Sequence, residues 1–318
     1  MNTEKDYYQL EKKIISLKEQ IDEIVSREEN GQKEKISKIR KEIEKEWAQI
    51  SSQLTPLHIV QIARHPQRPY TLDYIGYLTE DFIELHGDRR AADDPAVVAG
   101  LGRYRGKTTV FIGHQKGRRT QERIERNFGQ PTPEGYRKAL RVMKLAEKYR
   151  FPVVTLIDTP GAYPGIKAEE RGQAEAIAYN LREISKLKVP VVNIVIGEGG
   201  SGGALAIGVG DVLLMLENSF YSVISPEGCA AILWRDQSAA AKAAENLKIR
   251  AQDLIELGIA DKIIPEPPGG AHINPEQTFK NVDKQLNMIL KRLEQRNTEE
   301  LLEERYKKFR KIGVFAEK

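Results

Sequence analysis

The sequence predicts an α/β core built from a repeated strand–turn–helix unit, with a helical hairpin before it and charged helices after it. Three observations predict this. FPVVTLIDTPGAYPG (151–165) and VPVVNIVIGEGGSGG (189–203) share one plan, an apolar strand run followed by a Gly/Pro turn. Pro152-Val153-Val154 precedes Pro190-Val191-Val192 by 38 residues, and Gly161 and Gly165 precede Gly199 and Gly203 by the same interval. Both ends of the chain are charge-dense and carry apolar residues at helical spacing. The division expected is 1–54 for the hairpin, 55–270 for the core and 271–318 for the terminal helices.

The elements follow in order. Leu10, Ile14, Leu17, Ile21 and Ile24 form one helical seam, Glu29-Asn30-Gly31-Gln32 breaks it, and Ile36, Ile39, Ile43, Trp47 and Ile50 form a second. Runs 97–101 and 108–112 flank Arg105-Gly106-Lys107 as a β-hairpin. Thr132-Pro133-Glu134 supplies an N-cap, a first-turn proline and an acid for a helix to about 150. Between the two repeated strands, 169–186 reads as a helix with Ala174, Ile177, Ala178, Leu181 and Ile184 on one face. A short helix follows Gly203. Strands DVLLMLE and SFYSVIS, helices in 239–257 and a strand at 262–264 come next. The charged helix 276–311 has Thr298 as an N-cap.

Composition excludes several classes. The 318 residues are 40% hydrophobic and 30% charged, as in a globular protein with extra charged helix. A net charge of +4 does not suggest nucleic-acid binding. The single cysteine, Cys229, builds neither a disulfide framework nor a cysteine zinc site. The histidines at 58, 65, 86, 114 and 272 show no ligand spacing. The N-terminus lacks the apolar segment of a signal peptide, and no run is long enough to span a bilayer. The expectation is a cytoplasmic protein.

The stretch IGEGGSGGALAIGVGD (196–211) fits several patterns. Gly197, Gly199 and Gly202 spell the dinucleotide fingerprint, but 204–209 is too short for the crossover helix that fold needs. Gly199, Ser201 and Gly203 spell a nucleophile elbow. A hydrolase would take His272 as base and Asp253 or Asp261 as acid. Asp158-Thr159-Pro160-Gly161 has the D-x-x-G form of a γ-phosphate sensor. The upstream GRYRGKTT fails as a P-loop, because Leu101 stands where the first glycine belongs. Val142-Met143-Lys144-Leu145 resembles a biotinylation tetrapeptide but lies mid-helix. There Lys144 joins Arg137, Arg141 and Lys148 in a basic stripe opposite Tyr136, Leu140, Met143 and Ala146. The stripe is a solvated face or a surface for phosphates or an acidic partner. KGRRTQERIER (116–126) is either a solvated loop or a contact for coenzyme phosphates or for a partner. Glu169-Glu170 reads as first-turn helix acids complementing the macrodipole.

Glycines at the mouth of a helix expose backbone N–H groups, and two such donors aimed at one point make an oxyanion hole. Such chemistry needs no side-chain nucleophile. It suits an enolate or a urea-like oxyanion, with the base supplied by substrate or cofactor. Repeated strand–turn–helix units suit a crotonase-type spiral, whose oxyanion donors come from such turns.

Six segments carry a resemblance: ARHPQRPYTLDYI (63–75), FIELHGDR (82–89), PEGYRKALRVMKLAEK (133–148), IDTPGAYPGIKAEERGQAEAIA (157–178), GEGGSGGALAIGVGD (197–211) and NSFYSVISPEGCAAILW (218–234). They resemble the α-subunit family of the carboxyltransferase of bacterial and plastid-type acetyl-CoA carboxylase. Lys167, where a small residue is expected, and Gln130, where an apolar one is, depart from it. The resemblance implies a crotonase-like (ClpP/crotonase) fold of repeated ββα units. It implies pairing as α2β2 with a β subunit that carries a zinc ribbon and most of the acyl-CoA site. Carboxybiotin would arrive on a biotin carboxyl carrier protein charged by biotin carboxylase. Acetyl-CoA would become malonyl-CoA, the first committed step of fatty acid biosynthesis. No metal is expected on this chain. The resemblance places the biotin-facing oxyanion hole at the amides of Gly202 and Gly203, with Gly161 and Ala162 in the paired turn as second candidates. Gly199, Gly200, Ser201 and Tyr163 are the substrate-binding candidates. Two other classes stay open on the residues alone. A hydrolase would lose activity in Ser201→Ala, and a nucleotide-binding module would be stabilised by NAD or GTP.

Overall fold

The computed structural model describes residues 6–27 and 32–314. The chain starts with α1 (Tyr7–Leu10), α2 (Lys12–Ser26) and α3 (Gln32–Ser51). The two seams meet as expected. Ile14, Leu17 and Ile43 are buried, with Ile21, Ile39, Trp47 and Ile50 around them. The break at 29–31 lies outside the described residues. The hairpin does not pack on itself alone. Ile273 completes its apolar cluster, and Tyr7 is buried against Ile59 and Ile62.

Two short helices lead into the core. They are α4 (Pro56–Ala63), capped reciprocally by Thr55 and His58, and α5 (Thr71–Leu78). Next come β1 (Glu80–Glu84), β2 (Val97–Tyr104) and β3 (Lys107–His114), all antiparallel neighbours. Arg105 and Gly106 turn between β2 and β3 with φ of +47° and +79°, the positive values a two-residue hairpin turn needs. After α6 (Thr120–Glu125), α7 (Pro133–Tyr149) starts on the expected Thr132-Pro133.

The repeated units follow. They comprise β4 (Val153–Thr159), α8 (Ile166–Glu170), α9 (Gln173–Ile184), β5 (Val191–Gly200) and α10 (Ser201–Leu205). The chain ends through β6 (Val212–Leu216), β7 (Phe220–Ser222), α11 (Pro226–Trp234), α12 (Ala240–Leu247), α13 (Ala251–Glu256), β8 (Lys262–Ile264), α14 (Pro275–Leu293) and α15 (Thr298–Arg310).

One sheet holds them, in the order β1-β2-β3-β4-β5-β6-β8, with β7 paired to the end of β5. From β3 onward every pairing is parallel. Helices cover both faces, so these strands read as unbroken apolar runs. On one face Val153, Ile157, Val191 and Val195 meet Ala139, Val142, Met143 and Ala146 of α7. On the other, Val154, Leu156, Val192 and Ile194 meet α5 and Val282, Leu286 and Ile289 of α14.

Four expectations change. The 38-residue register holds from Val153↔Val191 to Ile157↔Val195 and then slips, so that Thr159 pairs Gly199. The strands are therefore repeats, while the turns beyond them are offset. The helix expected over 169–186 is broken by Gly172 at φ +86°. Within α9 the buried face also differs from the expected one, with Ala174 and Ala178 exposed and Ala176, Asn180 and Ile184 buried. Glu170 therefore ends α8 instead of starting a long helix. Asn297, not Thr298, caps α15, because its side chain accepts the Glu300 N–H.

Candidate active site

Strands β4 and β5 lie side by side, and a glycine turn leaves each of their ends. After β4, Gly161 takes φ +148°, a region that L side chains rarely adopt. The Thr159 hydroxyl fixes this turn. It accepts the Gly161 N–H at 3.1 Å and donates to the Gly161 carbonyl at 2.8 Å. After β5, the second turn presses backbone on backbone against the first. A Cβ on Gly200 would lie 2.2 Å from the Pro160 carbonyl oxygen, and one on Gly203 would lie 2.5 Å from the Gly161 carbonyl carbon. Gly199 faces the Tyr221 ring in the same way, at 2.1 Å. Gly202 differs, because its nearest neighbours are Ile177 carbons at 3.5 and 3.6 Å, ordinary contact.

The amides follow from this geometry. Gly200 occupies the N-cap of α10 and has no side chain to accept the first N–H groups. The amides of Gly202 and Gly203 fall in that first turn, where the helix itself offers no acceptor. Gly203 is buried and Gly202 half-buried. In the neighbouring turn the Gly161 amide is committed to Thr159, and the Tyr163 amide to the Pro131 carbonyl at 2.9 Å. The Tyr163 ring lies over Gly165. The structure thus gathers Gly161, Ala162, Gly199, Gly200, Ser201, Gly202 and Gly203 at one place, with Tyr163 at the margin.

Ser201 is exposed and stands at φ +49°, the posture of an elbow nucleophile. Its expected partners are occupied elsewhere. His272 is buried on Glu11, Asp253 holds Arg250, and Asp261 holds Lys308. His114 is also buried, and its Nδ1 accepts the Asp158 N–H at 3.3 Å. Burial, reinforced by the nearby Lys116 charge, pushes its ring down to about 3, so it stays neutral. Among the described residues, Ser201 has no histidine hydrogen-bonded to it.

Beneath the turns lies a buried ionic cluster that sequence reasoning missed. Lys116 Nζ donates to Asp158 Oδ1 and Glu198 Oε1, each at 2.8 Å. Arg64 donates to the other Glu198 oxygen at 2.7 Å and to Glu227 at 2.9 Å. The Glu198 N–H donates to Asp158 Oδ1 at 3.0 Å. Burial opposes the Lys116 charge, but the two carboxylates outweigh it and hold the ammonium above the usual lysine range. Burial likewise opposes ionisation of Glu198, and Lys116 and Arg64 reverse that. A usable signal was present in the sequence. Lys116, Asp158 and Glu198 each stand at the end of an apolar strand run.

Most of the other charged features are paired within the chain, several of them at its surface. In the 116–126 segment, Arg118 pairs Asp73 and stacks over Tyr70, and Arg126 donates to the Pro95 carbonyl. On α7, Arg137 holds Asp88, Arg141 holds the carbonyls of Leu85, His86 and Gly87, and Lys144 pairs Glu147 and Glu183. Two members of the basic stripe, Arg137 and Arg141, therefore tie down the 85–88 segment. Glu11, His65 and His272 place three potential ligand atoms within 4.8 Å of one another. The His65 Nδ1 accepts the Gln67 N–H at 3.2 Å, so Nε2 carries the proton and donates to Glu11. A metal-bound histidine has the opposite polarity, donating from its outer nitrogen. The trio is a hydrogen-bonded latch between the hairpin and the core. Among the described residues, no helix is long and apolar enough to cross a membrane.

A family model described as acetyl co-enzyme A carboxylase carboxyltransferase-like matches residues 4–313. The chain belongs to that family. Similar proteins include the acetyl-coenzyme A carboxylase carboxyl transferase subunits alpha of Geobacter metallireducens and Halalkalibacterium halodurans. The first is 53% identical, covering 98% of this chain and 99% of that one. The second is 56% identical, covering 99% and 97%. A Pseudomonas malonate decarboxylase hetero-tetramer in complex with coenzyme A shares the fold at TM-score 0.60 and 15% identity, over 74% of this chain and 91% of that one. Transcarboxylase 12S shares it at TM-score 0.56 and 19% identity, over 70% of this chain and 41% of that one. The crotonase-like fold expected from the sequence is therefore observed, and the family is one of carboxyltransferase subunits.

Proposed function

We propose that this chain is the α half of a split carboxyltransferase that makes malonyl-CoA from acetyl-CoA, with carboxybiotin as the donor. The observation that carries this reading is the Gly202–Gly203 pair, whose amides lack helix or N-cap acceptors at a turn braced against the Gly161–Ala162 peptide. Carboxybiotin, delivered on a carrier protein that biotin carboxylase recharges, supplies the carboxyl group. The Gly202 and Gly203 amides donate to the ureido oxygen and stabilise negative charge as it develops there. Ala162 is the second donor from the paired turn, since the Gly161 amide is turned to Thr159. Gly199 and Gly200 serve by close packing, and Ser201 and Tyr163 line the approach. No side chain of this chain acts as general base; carboxybiotin would supply the CO2 and, once its N–CO2 bond has broken, the nitrogen that takes the acetyl methyl proton, and the enolate so formed would take up that CO2. A zinc-containing β subunit completes the acyl-CoA site in an α2β2 assembly, in the cytoplasm.

The test is biotin-dependent decarboxylation of malonyl-CoA, with a free biotin derivative, by the chain alone and with a cognate β subunit. Activity in the mixture alone supports the reading. A folded complex without activity would refute it and return Ser201 to consideration. Gly203→Pro removes one amide donor, and a loss of about 100–1,000-fold in kcat is expected. Full activity in that folded variant would show that the Gly203 amide is not part of the hole.

A further inference from the structure

The two glycine turns belong to different strands, yet their backbones pack so closely that no Cβ fits between them at Gly200 or Gly203. Three groups of contacts bear on how that spacing is kept. Lys116 lies two residues past β3, Asp158 is the penultimate residue of β4, and Glu198 lies near the end of β5. One ammonium therefore bridges the carboxylates at the ends of the two strands that carry the turns, at 2.8 Å to each. Asp158 is three residues before Gly161, and Glu198 is four before Gly202. The strand register slips between Ile157 and Thr159, so the ordinary ladder is interrupted where the turns begin. The cluster sits at that interruption, and the Glu198 N–H donates to the Asp158 carboxylate there.

The surrounding sequence makes room for the bridge. A Cβ on Gly197 would lie 2.4 Å from Asp158 Oδ1, the oxygen that Lys116 grips. A Cβ on Gly129 would lie 2.6 Å from Lys116 Cγ. His114, the last residue of β3, adds a second tie. Its Nδ1 accepts the Asp158 N–H, which leaves the proton on Nε2. That Nε2 is buried without a hydrogen-bond partner among the described residues.

We propose that Lys116 is a positioning residue, whose bridge between Asp158 and Glu198 sets the spacing of the 161–162 and 202–203 turns and so aims the oxyanion donors. It touches no substrate. The inference rests on the carboxyltransferase reading above. It predicts a particular kinetic signature, because misplacing a donor by about 1 Å costs about a hundredfold in rate while leaving substrate contacts in place.

The experiment compares wild type, Lys116→Met, Lys116→Arg and Gly197→Ala, each in complex with the β subunit, in the biotin-dependent decarboxylation assay. Wild-type activity is the control for the functional reading. An inactive wild-type complex would refute that reading, and the variants test the bridge once wild type is active. Lys116→Met is expected to lose about a hundredfold in kcat with KM for malonyl-CoA unchanged. Lys116→Arg keeps a cation between the carboxylates and is expected to recover most of that loss. Gly197→Ala keeps every charge and displaces Asp158 from the ammonium, so it should also lower kcat and not KM. It carries the test if Lys116→Met does not fold. Hydrogen exchange of the chain alone gives a readout independent of turnover, with loss of protection at the 199–206 amides expected in Lys116→Met or Gly197→Ala. Wild-type kcat in folded Lys116→Met or Gly197→Ala would overturn the proposal. So would a change confined to KM, or unchanged protection of the 199–206 amides.

Discussion

At the scale of single residues, the proposed site is made of backbone, and its side chains matter mainly through what they are not. Gly200 and Gly203 are glycines because a carbonyl oxygen and a peptide plane occupy the space a Cβ needs. Ser201 is the exception, a non-glycine at φ +49°. A left-handed L residue costs about 1–2 kcal/mol. Ser201→Gly should therefore stabilise the fold by about 1 kcal/mol in urea titrations. Ser201→Ala should leave biotin-dependent turnover unchanged, which a serine nucleophile could not tolerate. The glycine pattern was legible in the sequence because tight turns advertise themselves by composition. It could not reveal that the Gly161 amide is taken by Thr159, since that depends on a side-chain rotamer.

At the scale of elements, two buried polar clusters help to fasten the terminal segments to the core. Arg305 of α15 is buried and fully engaged. Its guanidinium donates to both Asp211 oxygens, each at 2.8 Å, and to the carbonyls of Ile184, Leu187 and Val189 at 2.8–3.1 Å. Arg305→Met would strand the Asp211 carboxylate and the carbonyls around it. A loss of about 3–5 kcal/mol is expected in denaturant unfolding. At the other end, the latch of Glu11, His65 and His272 joins the hairpin to the core, with Tyr7, Arg68 and Glu266 as the nearby charged or titratable groups. Burial opposes ionisation of Glu11, but hydrogen bonds from His272 and His65 hold its carboxyl down at about 2. Burial also lowers His272, against the pull of Glu11. Both groups have folded values below their unfolded ones, so their stabilisation is present at neutral pH and lost on acidification. The loss begins below about 6.5 through His272 and continues below about 4.3 through Glu11. Trp47 emission in a Trp234→Phe background should report hairpin release at pH 4 before the sheet melts. Glu11→Gln should release it at neutral pH. The helical seams made the hairpin readable, but not its docking, since the latch joins residues 11, 65 and 272 across three separate segments.

At the scale of the whole molecule, the alternation of apolar runs and glycine turns was enough to predict a repeated α/β core. The parallel pairing of β4 with β5 in the 38-residue register bears that out. What the sequence could not show was the slip beyond Ile157, because register at a strand end is set by the groups packed around it. The same limit hid the ionic cluster. In the sequence Lys116 falls in a basic segment, and Asp158 opens a D-x-x-G pattern. Burial turns both into interior groups, and only the assembled sheet brings them together.

That assembly has a consequence for the order of folding. Lys116 reaches Asp158 across 42 residues and Glu198 across 82. Closing contacts of such separation carries a loop-entropy cost that local hairpins and helices do not bear. The bridge can form only once β3, β4 and β5 lie together, so it belongs to the native side of the folding barrier. In stopped-flow measurements, Lys116→Met should speed unfolding and leave the refolding rate nearly unchanged. The bridge beneath the two glycine turns then takes shape late in folding and is lost early in unfolding.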